Sequence, residues 1–107
     1  MINKSLICGI LQSEPTFNKS FSRFNLSITE EYTNKEGKPK LSTTSHPITL
    51  CGRVAESFCE QARLGDVVLI DGKLVMYVYT DEKGNLVKEY RTFGHHFAIV
   101  SKEIENI

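Results

Sequence analysis

Over most of this chain the apolar residues recur at every second position, and a period of two belongs to strands. The stretch FSRFNLSIT (21–29) is the cleanest case. Phe24, Leu26 and Ile28 fall on one side, and Arg23, Asn25, Ser27 and Thr29 on the other, so one face is buried and one is wet. INKSLICGIL (2–11) is apolar and partly β-branched, with Gly9 as a bulge or close-approach point. SEPTFNKS reads as a loop around Pro15. NKEGKPK (34–40) reads as a turn or long loop, and TSHPITLCG (44–52) as the third strand. In that strand His46, Ile48 and Leu50 share one parity, and Ser45, Pro47, Thr49 and Cys51 the other.

The period breaks once. In RVAESFCEQAR (53–63), Val54, Phe58 and Ala62 recur at four-residue steps with Ala55 and Cys59 beside them, which predicts a short amphipathic helix stopped at Gly65. VVLIDGKLVMYVYT (67–80) is a long strand that Gly72 could kink, DEKGN (81–85) is a hairpin turn, and 86–100 is the last strand. The order is β-β-β-α-β-β. An all-β chain with one short helix loses its sheet edges most simply by closing, and this order is that of the OB-fold, a five-stranded Greek-key barrel.

At 107 residues the chain is read as one domain over 1–101 and a short polar C-terminal end over 102–107. No run approaches the ~20 apolar residues of a membrane span, so a soluble, intracellular protein with no membrane partner is expected. Cys8, Cys51 and Cys59 are odd in number and lack CxxC spacing, which predicts buried free thiols rather than disulfides or a zinc site. No cofactor is expected. Lys plus Arg (13) equals Asp plus Glu (13), so any polyanion site must be a local stripe.

NKSLICGIL (3–11), FNLSITEEY (24–32), SHPITLCGRVAE (45–56) and LGDVVLIDGKL (64–74) followed by YTDEKG (79–84), in this order and spacing, resemble the bacterial-type single-stranded DNA-binding proteins (SSB). The resemblance implies a non-catalytic protein that coats single-stranded DNA in replication, repair or recombination, cytoplasmic and nucleoid-associated. It implies a homodimer or homotetramer formed partly through the first strand. Bases would stack on aromatic side chains while Lys and Arg track phosphates, independent of sequence. Carried over by position, Tyr32, Tyr77 and Tyr79 are the stacking candidates. Lys4, Arg53 and Lys73, with Lys35, Lys38 and Lys40 of the 34–40 loop, are the phosphate candidates.

The chain departs from the family where it has Ser45, Pro47 and Cys51 in place of a tryptophan, a basic residue and a phenylalanine, and it has no Trp. The resemblance would also imply an acidic C-terminal tail, to which no stretch of these 107 residues corresponds. Pro47 and the length are similar to the related primosomal replication protein branch, which implies as an alternative a primosome-assembly or protein-interaction module with weak DNA affinity. Strand aromatics also serve cores and subunit interfaces, and loop lysines are commonly just solvated. His46 reads as a hydrogen-bonded core residue. His95 and His96, adjacent on a strand, should point to opposite faces and chelate no common ion. Cys51 has no base in place to act as a nucleophile, and no constellation with a role for each member supports an enzyme.

Overall fold

The computed structural model describes residues 1–105. It contains β1 (Ser5–Leu11), β2 (Phe21–Thr33), β3 (Pro39–Cys51), α1 (Gly52–Gln61), β4 (Val67–Thr80), β5 (Leu86–Ile99) and α2 (Val100–Glu105). The strands close into a barrel in the order β1-β2-β3-β5-β4. All neighbours are antiparallel except β3 and β5, whose short parallel seam pairs Ile48 with Thr92 and Thr49 with Phe93. No helix among the described residues is long and apolar enough to cross a membrane.

The inward parity builds the core. Leu11, Leu26, Ile48, Leu50, Val68 and Ile70 are buried, and Ala55, Phe58 and Ala62 of α1 and its C-cap close one end. Phe58 stacks on Phe24 (4.5 Å between centroids) and meets Phe97 edge-on (5.1 Å). Such aromatic pairs add to the area that they bury. At Gly9, a Cβ would lie 2.7 Å from the Ser27 carbonyl, so β1 crosses β2 where only glycine fits. Gly72 faces Gly94 across the β4–β5 ladder, and a Cβ there would collide with the Phe93 backbone. The ladder slips at this point, with Asp71 opposite His96 and Gly72 opposite Gly94. His95 is the extra residue of a bulge, which bends the strand and turns the barrel corner.

Several boundaries differ from the sequence reading. β1 begins at Ser5, not Ile2. β2 runs on to Thr33 and β3 begins at Pro39, so the loop shrinks to Asn34–Lys38. There the Asn34 side chain accepts hydrogen bonds from the backbone N–H groups of Glu36 (3.0 Å) and Lys38 (2.9 Å), which fixes a tight turn. β2 and β3 thus form a polar arm beyond the barrel, and polar residues with no core face show no apolar alternation. α1 ends at Gln61, and Gly65 (φ +90°) turns the following loop instead of stopping the helix. β5 stops at Ile99, and the expected polar end instead starts within α2; positions 106–107 of that end lie outside the described residues. The cysteines are free, but Cys8 is exposed and Cys51 and Cys59 are only half-buried. In β1 the inward positions are Ile7, Gly9 and Leu11, which turns Cys8 to solvent. His46 is half-buried rather than in the core, with Nε2 2.9 Å from Thr44 Oγ1.

Candidate nucleic-acid interface

Pairing register assigns the outer face residue by residue. Directly opposed residues project to the same side of a sheet. Arg23 opposes Thr49 on β2–β3, and Val75 opposes Arg91, Tyr77 opposes Glu89 and Lys73 opposes Phe93 on β4–β5. The parallel seam joins the two halves. Arg91 crosses it, donating from Nε to Thr49 Oγ1 (2.8 Å) and from Nη2 to the Ile48 carbonyl (2.7 Å), with Nη1 3.4 Å from Glu89. Its side chain is only 13% exposed, so the guanidinium is part of the floor of the face.

Above that floor, Arg23, Tyr77, Val78, Tyr79, Glu89 and Arg91 line a groove of about 180 Å³. Two tyrosines and two arginines meet here from three strands. Tyr77 is half-buried against the groove and Tyr79 is 48% exposed. Arg23 also lies over the ring of Phe21 (5.9 Å) and lines a second recess with Thr16, Asn18, Lys19 and Phe21. Lys19 and Ser20 hold positive φ (50° and 73°) in the tight turn between Asn18 and Phe21, at the end of the β1–β2 loop, that presents that recess. At the other end, Lys73 Nζ sits 6.0 Å from the Phe93 ring centroid. The outer face therefore alternates aromatic rings and cations, from Phe21 through Tyr77 and Tyr79 to Phe93. That is the combination that holds stacked bases and their phosphates.

The structure gathers only some of the sequence candidates on this face. Tyr77, Tyr79 and Lys73 share it. Tyr32 lies on the β2–β3 arm, directly opposite Lys40, and has the inward parity of Phe24 and Leu26. It is a strand residue, 51% exposed, and is separate from the tyrosine groove. Lys35 and Lys38 belong to the arm's turn, whereas Lys40 is in β3. Lys4 is ion-paired with Asp71 (3.6 Å). Arg53 lies at the start of α1, in a recess with His95 and His96. These two histidines do not point to opposite faces as alternation predicts, because the bulge leaves both exposed. Among the described residues no group of three or more His, Cys, Asp or Glu is placed to hold a metal ion. Ser45 is tied to the loop before β2, its Oγ donating to Gln12 Oε1 (2.7 Å), and Thr49, on the bare parity of β3, is buried beneath Arg91.

Sequence reasoning missed Lys19, Phe21, Arg23, Arg91 and Phe93. Arg23 was within reach, since it stands on the wet parity of the best-patterned strand. Arg91 was not, because its role depends on a parallel pairing between segments more than forty residues apart in sequence.

The model of the single-strand binding protein family matches residues 2–99. Among solved structures, a deletion mutant of the single-stranded DNA binding protein from Thermus aquaticus superposes with a TM-score of 0.80 at 18% identity, over 91% of this chain and 49% of that one. This chain thus spans about half the length of that protein. A Plasmodium falciparum SSB solved in complex with ssDNA gives a TM-score of 0.79 at 16% identity, over 92% of both chains. The small single-stranded DNA-binding protein from Streptomyces coelicolor gives 0.67 at 20% identity, over 92% of this chain and 95% of that one. At these identities the structural likeness is one of fold, the closed five-stranded barrel with its helix between β3 and β4.

Proposed function

Because the chain belongs to the single-strand binding protein family, we propose that the outer face of β2, β3, β4 and β5 binds single-stranded DNA, non-catalytically and with little regard to base sequence. The observation that carries this reading is the tyrosine groove. Tyr77 and Tyr79 offer ring faces beside Arg23 and Arg91, and every base has a face to stack on such a ring. Lys73 and Phe93 extend the track, with Lys19 and Phe21 at its other end. Tyr32 with Lys40, and Lys35 and Lys38 of the arm, supply a second and separate contact that a longer strand could reach. Lys4 and Arg53 would serve the phosphates at the barrel's flank. Replication, repair and recombination are the settings in which such a coat is used, in a cytoplasmic, nucleoid-associated protein.

We further read the protein as a homodimer or homotetramer. Leu6 and Ile10 of β1 are 63% and 48% exposed on one face with Cys8, which supports a subunit contact there. A second reading, a primosome-assembly or other protein-interaction module, draws on one observation: Ser45, Pro47 and Cys51 bring neither an aromatic ring nor a charge to β3's outer face. The deciding experiment is a fluorescence-anisotropy titration of labelled oligo-dT at low and moderate salt. Binding that weakens steeply with salt is expected, because phosphate contacts release counterions. Absence of binding at micromolar protein in low salt would overturn the DNA reading and leave the protein-interaction one.

A further inference from the structure

Three of the turns in this chain begin at an Asn or Asp, and they use it differently. In the turn of the β2–β3 arm, Asn34 Oδ1 is taken up by the N–H groups of Glu36 and Lys38. In the β4–β5 turn, Asp81 Oδ1 accepts from the N–H groups of Lys83 (2.9 Å) and Asn85 (2.8 Å). The turn from Asn18 to Phe21 is closed by backbone alone. The Asn18 N–H donates to the Phe21 carbonyl (2.8 Å), and the Phe21 N–H donates to the Asn18 carbonyl (2.9 Å). The Asn18 amide is therefore left for another partner. With Thr16, Lys19, Phe21 and Arg23 it lines a recess of about 340 Å³ that has no carboxylate in its walls. Lys19 stands in this turn with the positive φ that usually falls to Gly or Asn, so a cation is kept here against backbone preference. Phe21 is 44% exposed, and the small side chain of Cys51, not a second ring, stands across the ladder from it. Arg23 also lines the tyrosine groove, so the recess shares a wall with the proposed DNA track.

The geometry points to this recess as a nucleobase pocket that takes guanine in preference to the other bases. The inference rests on the DNA-binding reading above and gives an otherwise indifferent track one selective position. The recess holds one ring face, two cationic donors in Lys19 and Arg23, and two uncharged acceptors in Asn18 Oδ1 and Thr16 Oγ1. Guanine carries the O6 and N7 acceptors along one edge, and the N1–H and N2 amino donors along the next. Stacked on Phe21, it can accept from Lys19 or Arg23 at the first edge and donate to Asn18 and Thr16 at the second. Adenine and cytosine bring an exocyclic amino group where guanine has O6, and so turn a donor toward the cations. Thymine has one ring N–H donor and no N7. In the tyrosine groove, by contrast, Arg91 is committed to Thr49 and Ile48 and no side-chain amide is present, so ring faces and charge dominate there.

The test is fluorescence anisotropy at one low salt concentration with labelled strands of about 12 nucleotides, within the range that one such barrel covers. One strand is all thymine. Others carry a single dG near the 5′ end, in the middle or near the 3′ end, since one guanine per strand forms no quadruplex. Because the recess lies at an end of the track, dG near one end is expected to bind wild type about five- to tenfold tighter than all-thymine. A dA or dC at the same place is expected to gain no more than about twofold. The variant carrying Thr16→Val and Asn18→Ala is expected to bring the ratio of the dG and all-thymine affinities to about one. Asn18→Asp keeps the acceptor, and is expected to preserve the preference at lower overall affinity. Circular dichroism melts check the fold, and Thr16→Val alone, which lies outside the turn, should still lower the ratio if the double variant disturbs it. A wild-type ratio near one at every position would overturn the inference alone, as would a preference surviving in the folded double variant. An equal gain from dA would also overturn it, by assigning the gain to purine stacking. Absence of binding to every strand would overturn the DNA reading and this inference with it.

Discussion

Tyr79 and Tyr90 have the same chemistry and lie on the same β4–β5 hairpin, but on opposite faces, and this permits a sharp test of the interface. Tyr90 opposes Met76, on the parity of the buried Gly72 and Gly94, and is 61% exposed. Tyr79 is less exposed, at 48%, but shares the groove with Tyr77, Arg23 and Arg91. An argument from accessibility alone would choose Tyr90. The register chooses Tyr79. Removing a stacked ring costs about 1–3 kcal/mol per base. Tyr77 is already half-covered by its neighbours, so the pair belongs in the lower part of that range. Tyr77→Ala with Tyr79→Ala should therefore lose about 2–3 kcal/mol for the two rings together, roughly thirty- to a hundred-and-fifty-fold in Kd for oligo-dT. Tyr90→Ala should leave Kd within about a factor of two. The assay is anisotropy at one fixed salt concentration, with urea denaturation of each variant to separate binding from folding. If Tyr90→Ala weakens binding as much as the double variant does, the assignment of faces is wrong. If the folded double variant binds like wild type, the groove is not the DNA site.

Two further perturbations probe the barrel itself. Phe58→Ala removes a fully buried ring and both of its aromatic contacts, so a loss of about 3–5 kcal/mol is expected in urea denaturation, against about 5–15 kcal/mol for a whole domain. A loss under about 1 kcal/mol would mean that α1 is not the core's lid. Gly72→Ala places a methyl against the backbone of Phe93, with Gly94 Cα at 2.8 Å, where no side chain can swing away; a loss of at least about 2 kcal/mol is expected, and an unchanged melting temperature would refute the close corner.

Much of this architecture was legible wherever a face is buried. The parity of Phe24, Leu26, Ile48 and Leu50 and the four-residue steps of Ala55, Phe58 and their neighbours carry the burial pattern directly. The arm did not announce itself. Thr29 to Thr33 and Lys40 to Thr44 have no core to face, so their strand character comes from backbone pairing and cross-strand contacts such as Thr29 Oγ1 to Thr43 Oγ1 (2.9 Å). The bulge at His95 was also hidden, because one inserted residue leaves no trace in composition. It can be inferred only once Gly72 is known to lie opposite Gly94. Of the site, Tyr77, Tyr79 and Lys73 follow from strand parity and family position. The arginines beneath and beside them depend on pairings distant in sequence.

The seam between β3 and β5 is only two residue pairs long, yet it closes the barrel, and Arg91 laces it from outside. The wall of the groove is thus also the clasp of the fold. A ligand that settled against Arg91 would rest on the residue that laces this short seam, so an occupied groove and a closed barrel would favour one another through the same guanidinium. Grip and integrity here form a single cooperative unit, and a change at Arg91 must alter both together.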